Sequence, residues 1–255
     1  MTSRFVSQWE ANAEAFAHLI DGRGTPHHQE ILNPCIEQLM GDVRGCRILD
    51  AGCGEGYLSR FYAKKGGDVV GVDFSPSLIE LSKEASEAVP IDFRVGDLCG
   101  LTEFDDEEFD IVLCNLVLLN LECLEASLQE FHRVLRPKGF LVFSVVHPAF
   151  NVYGPGRWEL GDKDNRSKRR EGKFFRMDNY FEEKEYQVRW KTRTGQGFPQ
   201  EFSFFHRTIR TYVTLLLQTG FQLTAFEEPR PTSNNPFFDR EQRIPFFLVI
   251  KAEKA

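Results

Sequence analysis

The sequence predicts an α/β fold built on a doubly wound, mostly parallel sheet, and three observations predict it. Between residues 46 and 146, short apolar runs alternate with amphipathic stretches; a glycine-rich turn sits where the first run gives way to the first such stretch; and successive runs end in acids. Each strand–helix–strand repeat must return over the face it left, which makes neighbouring strands parallel. Ligands of such sheets bind beyond the carboxyl ends of the strands, so function is sought along that edge.

Residues 47–51 (RILDA), 68–73 (DVVGVD), 91–95 (IDFRV), 109–115 (FDIVLCN) and 140–146 (FLVFSVV) read as strands. Their nearly unbroken β-branched and aromatic content suits a sheet covered on both faces. Between them, residues 56–65 put Leu58, Phe61 and Tyr62 on one helical face, residues 76–88 open with the helix-start signal Ser75-Pro76, and residues 122–135 stop at the turn Arg136-Pro137-Lys138-Gly139. After Val146 the rhythm breaks. Residues 147–206 are rich in Arg, Lys, Phe, Gly and Pro and read as an insertion, with a hairpin of 186–192 and 201–205 around Thr194-Gly195-Gln196-Gly197. A helix at 208–219 and strands at 221–226 and 245–252 resume the pattern and complete the sheet. The expected organisation is an N-terminal helical segment over 1–40, a core over 41–148 and 207–255, and the insertion over 149–206.

With 255 residues, 42% of them hydrophobic, the chain can bury a full core without disulfides or a metal. Its six cysteines (Cys35, Cys46, Cys53, Cys99, Cys114, Cys123) fall in no CxxC or Cys/His spacing, so they are read as reduced thiols of a cytoplasmic protein. No stretch approaches the roughly 18 apolar residues of a membrane span, and the first residues lack the basic-then-apolar pattern of a secretory signal. A formal charge of -7 gives no global field for nucleic acid, which moves small molecules ahead of RNA or DNA.

The most informative segment is Asp50-Ala51-Gly52-Cys53-Gly54-Glu55-Gly56, at a strand-to-helix junction. Glycines there let backbone approach a ligand and supply turn geometries that a Cβ forbids. Its G-x-G-x-G spacing departs from the dinucleotide fingerprint, and Asp50 would repel a pyrophosphate with no Gly-Lys-Ser/Thr to compensate. A ligand without phosphates and with positive charge follows; the alternative is a tight turn that binds nothing. Asp73 ends the second strand, where an acid accepts hydrogen bonds from ribose hydroxyls, unless it only caps the helix after Phe74-Ser75-Pro76. Gly96-Asp97-Leu98 follows the third strand, placing Asp97 to accept an adenine amino hydrogen and Leu98 to lie against the ring, or forming an ordinary turn.

Together, Ile48 through Gly56, Val70-Gly71-Val72-Asp73-Phe74-Ser75, Gly96-Asp97-Leu98, Phe109-Asp110-Ile111-Val112 and Leu135-Arg136-Pro137-Lys138-Gly139-Phe140 resemble class I, Rossmann-like S-adenosylmethionine-dependent methyltransferases of small-molecule type. The resemblance spans about residues 30–148 and implies a seven-stranded sheet in the order 3-2-1-4-5-7-6 with the last strand antiparallel. It also implies that Asp50, Gly52, Gly54 and Gly56 surround the methionyl part of S-adenosylmethionine, Asp73 and Phe74 the ribose, Asp97 and Leu98 the adenine, and Asn115 and Leu116 the floor near the sulfonium. The segment around Trp9, Ala13 and Phe16 resembles the lid helix of such enzymes. The insertion matches no acceptor-specific motif, so acceptor and oligomeric state stay open.

A methyl sulfonium is already an activated electrophile, so in-line positioning suffices and neither a metal nor a nucleophilic side chain is required; S-adenosylhomocysteine is the product. A base helps only if the acceptor keeps its proton. His147, at the carboxyl end of a strand, is one candidate, against the simpler reading that His147-Pro148 turns the chain outward. His206, closing the insertion, is the second. His27 and His28 lack partners at metal-ligand spacing. The basic run 163–176 would clamp an anion or touch RNA, or is a solvated loop; the aromatics Tyr153, Trp158, Phe174, Phe175, Tyr180, Phe181 and Trp190 would wall a pocket or simply pack. A small-molecule methyltransferase is the first expectation; an RNA or protein methyltransferase and a non-catalytic donor-binding protein are the alternatives.

Overall fold

The computed structural model describes residues 3–167, 169–192 and 194–255. Helix α1 (Ser3–Ile20) leads, followed by a π-helical turn (His28–Leu32) and α2 (Asn33–Met40). The core then alternates β1 (Arg47–Ala51), α3 (Tyr57–Lys64), β2 (Asp68–Asp73), α4 (Pro76–Glu84), β3 (Asp92–Val95), β4 (Phe109–Asn115), α5 (Leu124–Val134) and β5 (Leu135–Val146). The insertion contributes β6 (Gly156–Lys163), β7 (Arg170–Met177), β8 (Lys184–Val188) and β9 (Phe202–His206); α6 (Ile209–Gln218), β10 (Phe221–Glu227) and β11 (Phe247–Lys254) close the chain.

Seven strands form one sheet, ordered β3-β2-β1-β4-β5-β11-β10. The first five are parallel and β11 runs antiparallel to both its neighbours. This is the order the resemblance implied. Ile48, Leu49, Val112, Leu113, Leu141 and Val142 are essentially inaccessible because the central strands are covered on both faces, which explains their unbroken apolar runs. Parallel register brings the ends of β1, β2 and β4 to one edge, where Asp50, Asp73 and Asn115 sit.

Four local readings needed correction. The turn expected at 136–139 lies inside β5: Phe109 pairs with Leu135, the register then shifts before Ile111, and Lys138 takes a φ of 67°. Phe61 is 37% exposed, with the Lys65 ammonium 4.6 Å from its ring centroid, while Ser59 is buried beside Leu58 and Tyr62. The described part of the basic run 163–176 is mostly strand, in the β6–β7 hairpin; Lys168 lies outside the described residues. Its charges masked the period-two pattern, and Arg169 makes two 3.1 Å contacts to the buried carboxylate of Glu241. Finally, Cys99 and Cys123 form a disulfide across Cα atoms 5.9 Å apart, so the six thiols are not all free. Their 24-residue separation carries no spacing signal, because tertiary packing alone brings the loop after β3 against the start of α5.

Candidate active site

The glycine loop is shaped by what surrounds it. Gly52 has a φ of +80°, and a Cβ there would lie 2.4 Å from the Val117 side chain; Gly54 has a φ of +56°, with the Phe16 ring of α1 3.0 Å from where its Cβ would be. Only glycine meets both demands at low cost. Gly56 shares the positive φ, at +81°, but an added Cβ there would meet Phe93 of β3 at 2.8 Å, so its close approach is to the sheet.

Acids crowd the loop. The Asp73 carboxylate accepts N–H groups from Gly54 and Ser75, each at 3.0 Å, and Asp50 accepts the Ser59 hydroxyl at 2.5 Å. Burial, with Asp73 and Glu55 adding to it against the Ser59 hydrogen bond, pushes the Asp50 carboxyl up to about 7. Burial also raises Asp73, to about 6, against the backbone hydrogen bonds that favour its ionised form. Glu55 gives one oxygen to Arg60 at 2.5 Å, whereas its buried Oε1 has no partner among the described residues. At the end of β4, Asn115 Oδ1 accepts the Ser144 hydroxyl at 2.6 Å while its amide donates to the Tyr57 hydroxyl at 3.3 Å. Leu116 sits at a φ of 57°, held there by its N–H donating to Ser144. Such strain persists where surroundings over-determine it, and it clusters at functional sites.

Above this floor lies a cavity of about 400 Å³. Asp50, Gly52, Gly54, Asp73, Phe74, Asn115 and Leu116 line it. Its roof comes from the N-terminal helix and the insertion. On α1, Glu10 accepts hydrogen bonds from the Ser77 amide and hydroxyl at 3.2 and 2.7 Å, tying the helix to the β2–α4 junction. On its other side, Asn12 exchanges hydrogen bonds with the Gln200 backbone at 3.0 and 3.2 Å, tying it to the β8–β9 hairpin. Trp9 and Phe16 therefore meet Trp190 over the cavity, at centroid distances of 6.2 Å each.

Other expected site residues lie elsewhere. Gly56, Asp97 and Leu98 are not among the cavity-lining residues; Leu98 is buried in the core and Asp97 accepts the Cys99 N–H at 2.9 Å. Neither expected base reaches the cavity. His147 is buried, with Nε2 2.8 Å from Glu228 and Nδ1 accepting the Ala149 N–H at 3.2 Å, so both nitrogens serve the turn out of β5. His206 donates from Nε2 to the Tyr180 carbonyl at 2.9 Å. The histidines that do line the cavity are His27 and His28. Burial, helped slightly by His27, pulls His28 down to about 4, so it is neutral at pH 7, with Nδ1 2.7 Å from the Thr25 hydroxyl. Tyr57, Glu55, Phe246 and Phe247 also line the cavity unanticipated. Glu55 was legible as an acid inside the loop; nothing local marks the other three.

These residues fit a cationic, phosphate-free nucleoside. Glycines leave a cradle that a Cβ would fill, three acids face it, and one buried carboxylate oxygen awaits a donor. Among the described residues no group of three or more His, Cys, Asp or Glu could hold a metal, and no helix is long and apolar enough to cross a membrane.

The fold is that of class I S-adenosylmethionine-dependent methyltransferases, and comparisons with known proteins agree. Residues 49–143 match the family described as "Methyltransferase domain". An uncharacterized protein of Haemophilus influenzae is 28% identical over 241 residues, covering 88% of this chain and 87% of its own length. A ubiquinone biosynthesis O-methyltransferase of Coxiella burnetii is 34% identical over 138 residues, covering 52% of this chain and 57% of that enzyme, so the chain spans little more than half of that relative. Among solved structures, an S-adenosylmethionine-dependent methyltransferase from Mesorhizobium loti superposes with a TM-score of 0.69 at 27% identity, covering 86% of this chain and 96% of that one.

Proposed function

We propose that this chain transfers the methyl group of S-adenosylmethionine to a small molecule held in the roofed cavity, releasing S-adenosylhomocysteine. The observation that carries the reading is the continuity of one cavity from the acid-and-glycine floor to the aromatic roof. Asp50, Gly52, Gly54 and the free oxygen of Glu55 would take the methionyl end, Asp73 and Phe74 the ribose, while Asn115 and Leu116 would flank the reacting centre. Bound there, the donor supplies an electrophilic methyl carbon. The chain's own part is to exclude water and align an acceptor lone pair, which is worth about 7–11 kcal/mol when the geometry is near attack.

A cavity closed by α1 and the β8–β9 hairpin favours a small acceptor over a macromolecule, and the small-molecule activity named for the Coxiella relative agrees with that choice. Within the basic run Arg169 is committed to Glu241 and Arg170 donates to the Gly161 carbonyl at 2.9 Å, whereas Lys163, Arg166, Lys173 and Arg176 stay exposed, which keeps a macromolecular acceptor as the second reading.

The test is calorimetric titration of S-adenosylmethionine, S-adenosylhomocysteine and NAD, followed by measuring S-adenosylhomocysteine release across small acceptors. Micromolar binding of the two sulfur ligands without NAD, and release with an acceptor, is the expected result. NAD binding alone would overturn the donor assignment, and donor binding with no release across a broad panel would favour a non-catalytic binding protein.

A further inference from the structure

We infer that the acceptor is an aromatic carboxylate, its ring held by the aromatic roof and its carboxylate by the segment Arg189-Trp190-Lys191. The inference rests on the methyltransferase reading and narrows its substrate.

The first observation is an orphaned donor. Trp190 Nε1 is shut off from solvent and, among the described residues, has no hydrogen-bond acceptor, although the indole lines the cavity. An indole N–H can only donate, and leaving one buried and unpaired is unfavourable. A ligand oxygen would remove that cost.

The second is the distribution of charge around the cavity. Its floor holds Asp50, Glu55 and Asp73, whereas Arg189 and Lys191, both exposed, line it on either side of Trp190 in the chain. Neither cation is firmly committed. Arg189 Nε stands 3.8 Å from Glu201 and Nη1 lies 3.4 Å from the Phe198 carbonyl, both long; Lys191 forms a backbone bridge to Gly197 and, among the described residues, no ion pair. In a chain of net charge -7 these are the cations offered to the cavity together with an unused N–H. An anion is repelled by the acidic floor and drawn to this segment, which leaves the acceptor's opposite end toward the donor.

The third is shape. Trp9 and Phe16 meet edge to face at 5.2 Å, Phe16 lies nearly parallel to Trp190 with planes 28° apart, and Phe204 lines the same cavity. Ring walls of this kind favour flat, π-bearing ligands over branched aliphatic ones.

The experiment loads the full chain with S-adenosylhomocysteine and titrates hydroxybenzoate, hydroxycinnamate and hydroxynaphthoate, each against its neutral primary amide, by calorimetry at low and high salt. At least one acid is expected to bind tenfold or more tighter than its amide, with the advantage shrinking as salt rises. The double variant Arg189→Ala, Lys191→Ala should cut the advantage to threefold or less with S-adenosylhomocysteine affinity unchanged. Trp190→Phe, which keeps a ring and deletes the N–H, should weaken the acid severalfold. Amides binding as tightly as acids, no probe binding at all, or a double variant that keeps the full preference would each overturn the inference. Failure of S-adenosylhomocysteine itself to bind would instead strike at the methyltransferase reading.

Discussion

Asp73 and Gly54, 19 residues apart, are joined by a 3.0 Å hydrogen bond from the Gly54 N–H to Asp73 Oδ2. The acid at the end of β2 thus fixes the glycine loop as well as facing the cavity. Asp73→Ala should therefore weaken S-adenosylmethionine binding about tenfold or more, the scale of a lost hydrogen bond to a charged group. Calorimetry on Asp73→Ala and His147→Ala checks this. Equal losses in the two variants would show the assignment of Asp73 to be wrong.

His147 should behave as a structural residue. Its replacement by Ala strips the Glu228 and Ala149 partners and should cost about 1–3 kcal/mol of stability with donor affinity within twofold of the parent. Urea denaturation beside calorimetry separates the two effects, and a large loss of donor binding at unchanged stability would contradict the placement.

Acid should destabilise the fold through two desolvated histidines. Burial lowers His147, against the pull of Glu228, and lowers His28 to about 4. Each then takes up a proton more readily in the unfolded chain, so the stability they contribute is complete above the ordinary value of 6.5 and is lost as pH falls toward the depressed folded values. His28→Gln, followed by denaturant melts from pH 7 to 4, should show a shallower decline than the parent; an identical decline would remove His28 from the account.

Donor affinity should depend on pH in the same direction for a different reason. Asp50 is raised to about 7 and Asp73 to about 6, so both lose charge as pH falls through that window, and a sulfonium ligand loses its counter-charges. Without ligand, the same raised carboxyls cost stability above their folded values and that cost fades on acidification. S-adenosylmethionine binding should weaken about tenfold per pH unit below 6, and S-adenosylhomocysteine, a neutral thioether, should weaken less. Parallel titration curves for the two ligands from pH 8 to 5 would contradict this.

Reducing the Cys99–Cys123 bond should lower stability by about 3 kcal/mol, the chain-entropy scale for a loop of roughly 25 residues. Denaturant melts with and without reductant, repeated on Cys99→Ser, test it; a reductant effect that survives in Cys99→Ser would place the sensitivity elsewhere.

Much of the cavity floor was legible because its signals are local. Gly52 and Gly54 answer to positive φ and close approach at their own positions, and Asp50 and Asp73 are marked by ending apolar runs. The histidines were not legible in this way. His147 stands at the predicted strand end, yet its function depends on Glu228, 81 residues later, and His27 meets Glu241 across 214 residues.

By itself the sequence determined the alternation that builds a doubly wound sheet, the family resemblance that implied its strand order, and most of the residues that floor the cavity. Strand periodicity and glycine's tolerance of positive φ are written within about ten residues. Tertiary structure alone decided that α1 and the β8–β9 hairpin close over one cavity, that Arg169 turns inward to Glu241, that Cys99 meets Cys123, and that Trp190 keeps an unused donor beside Arg189 and Lys191. Those outcomes depend on which distant surfaces exclude water from one another, and a polar atom's partner is settled only when that exclusion is complete.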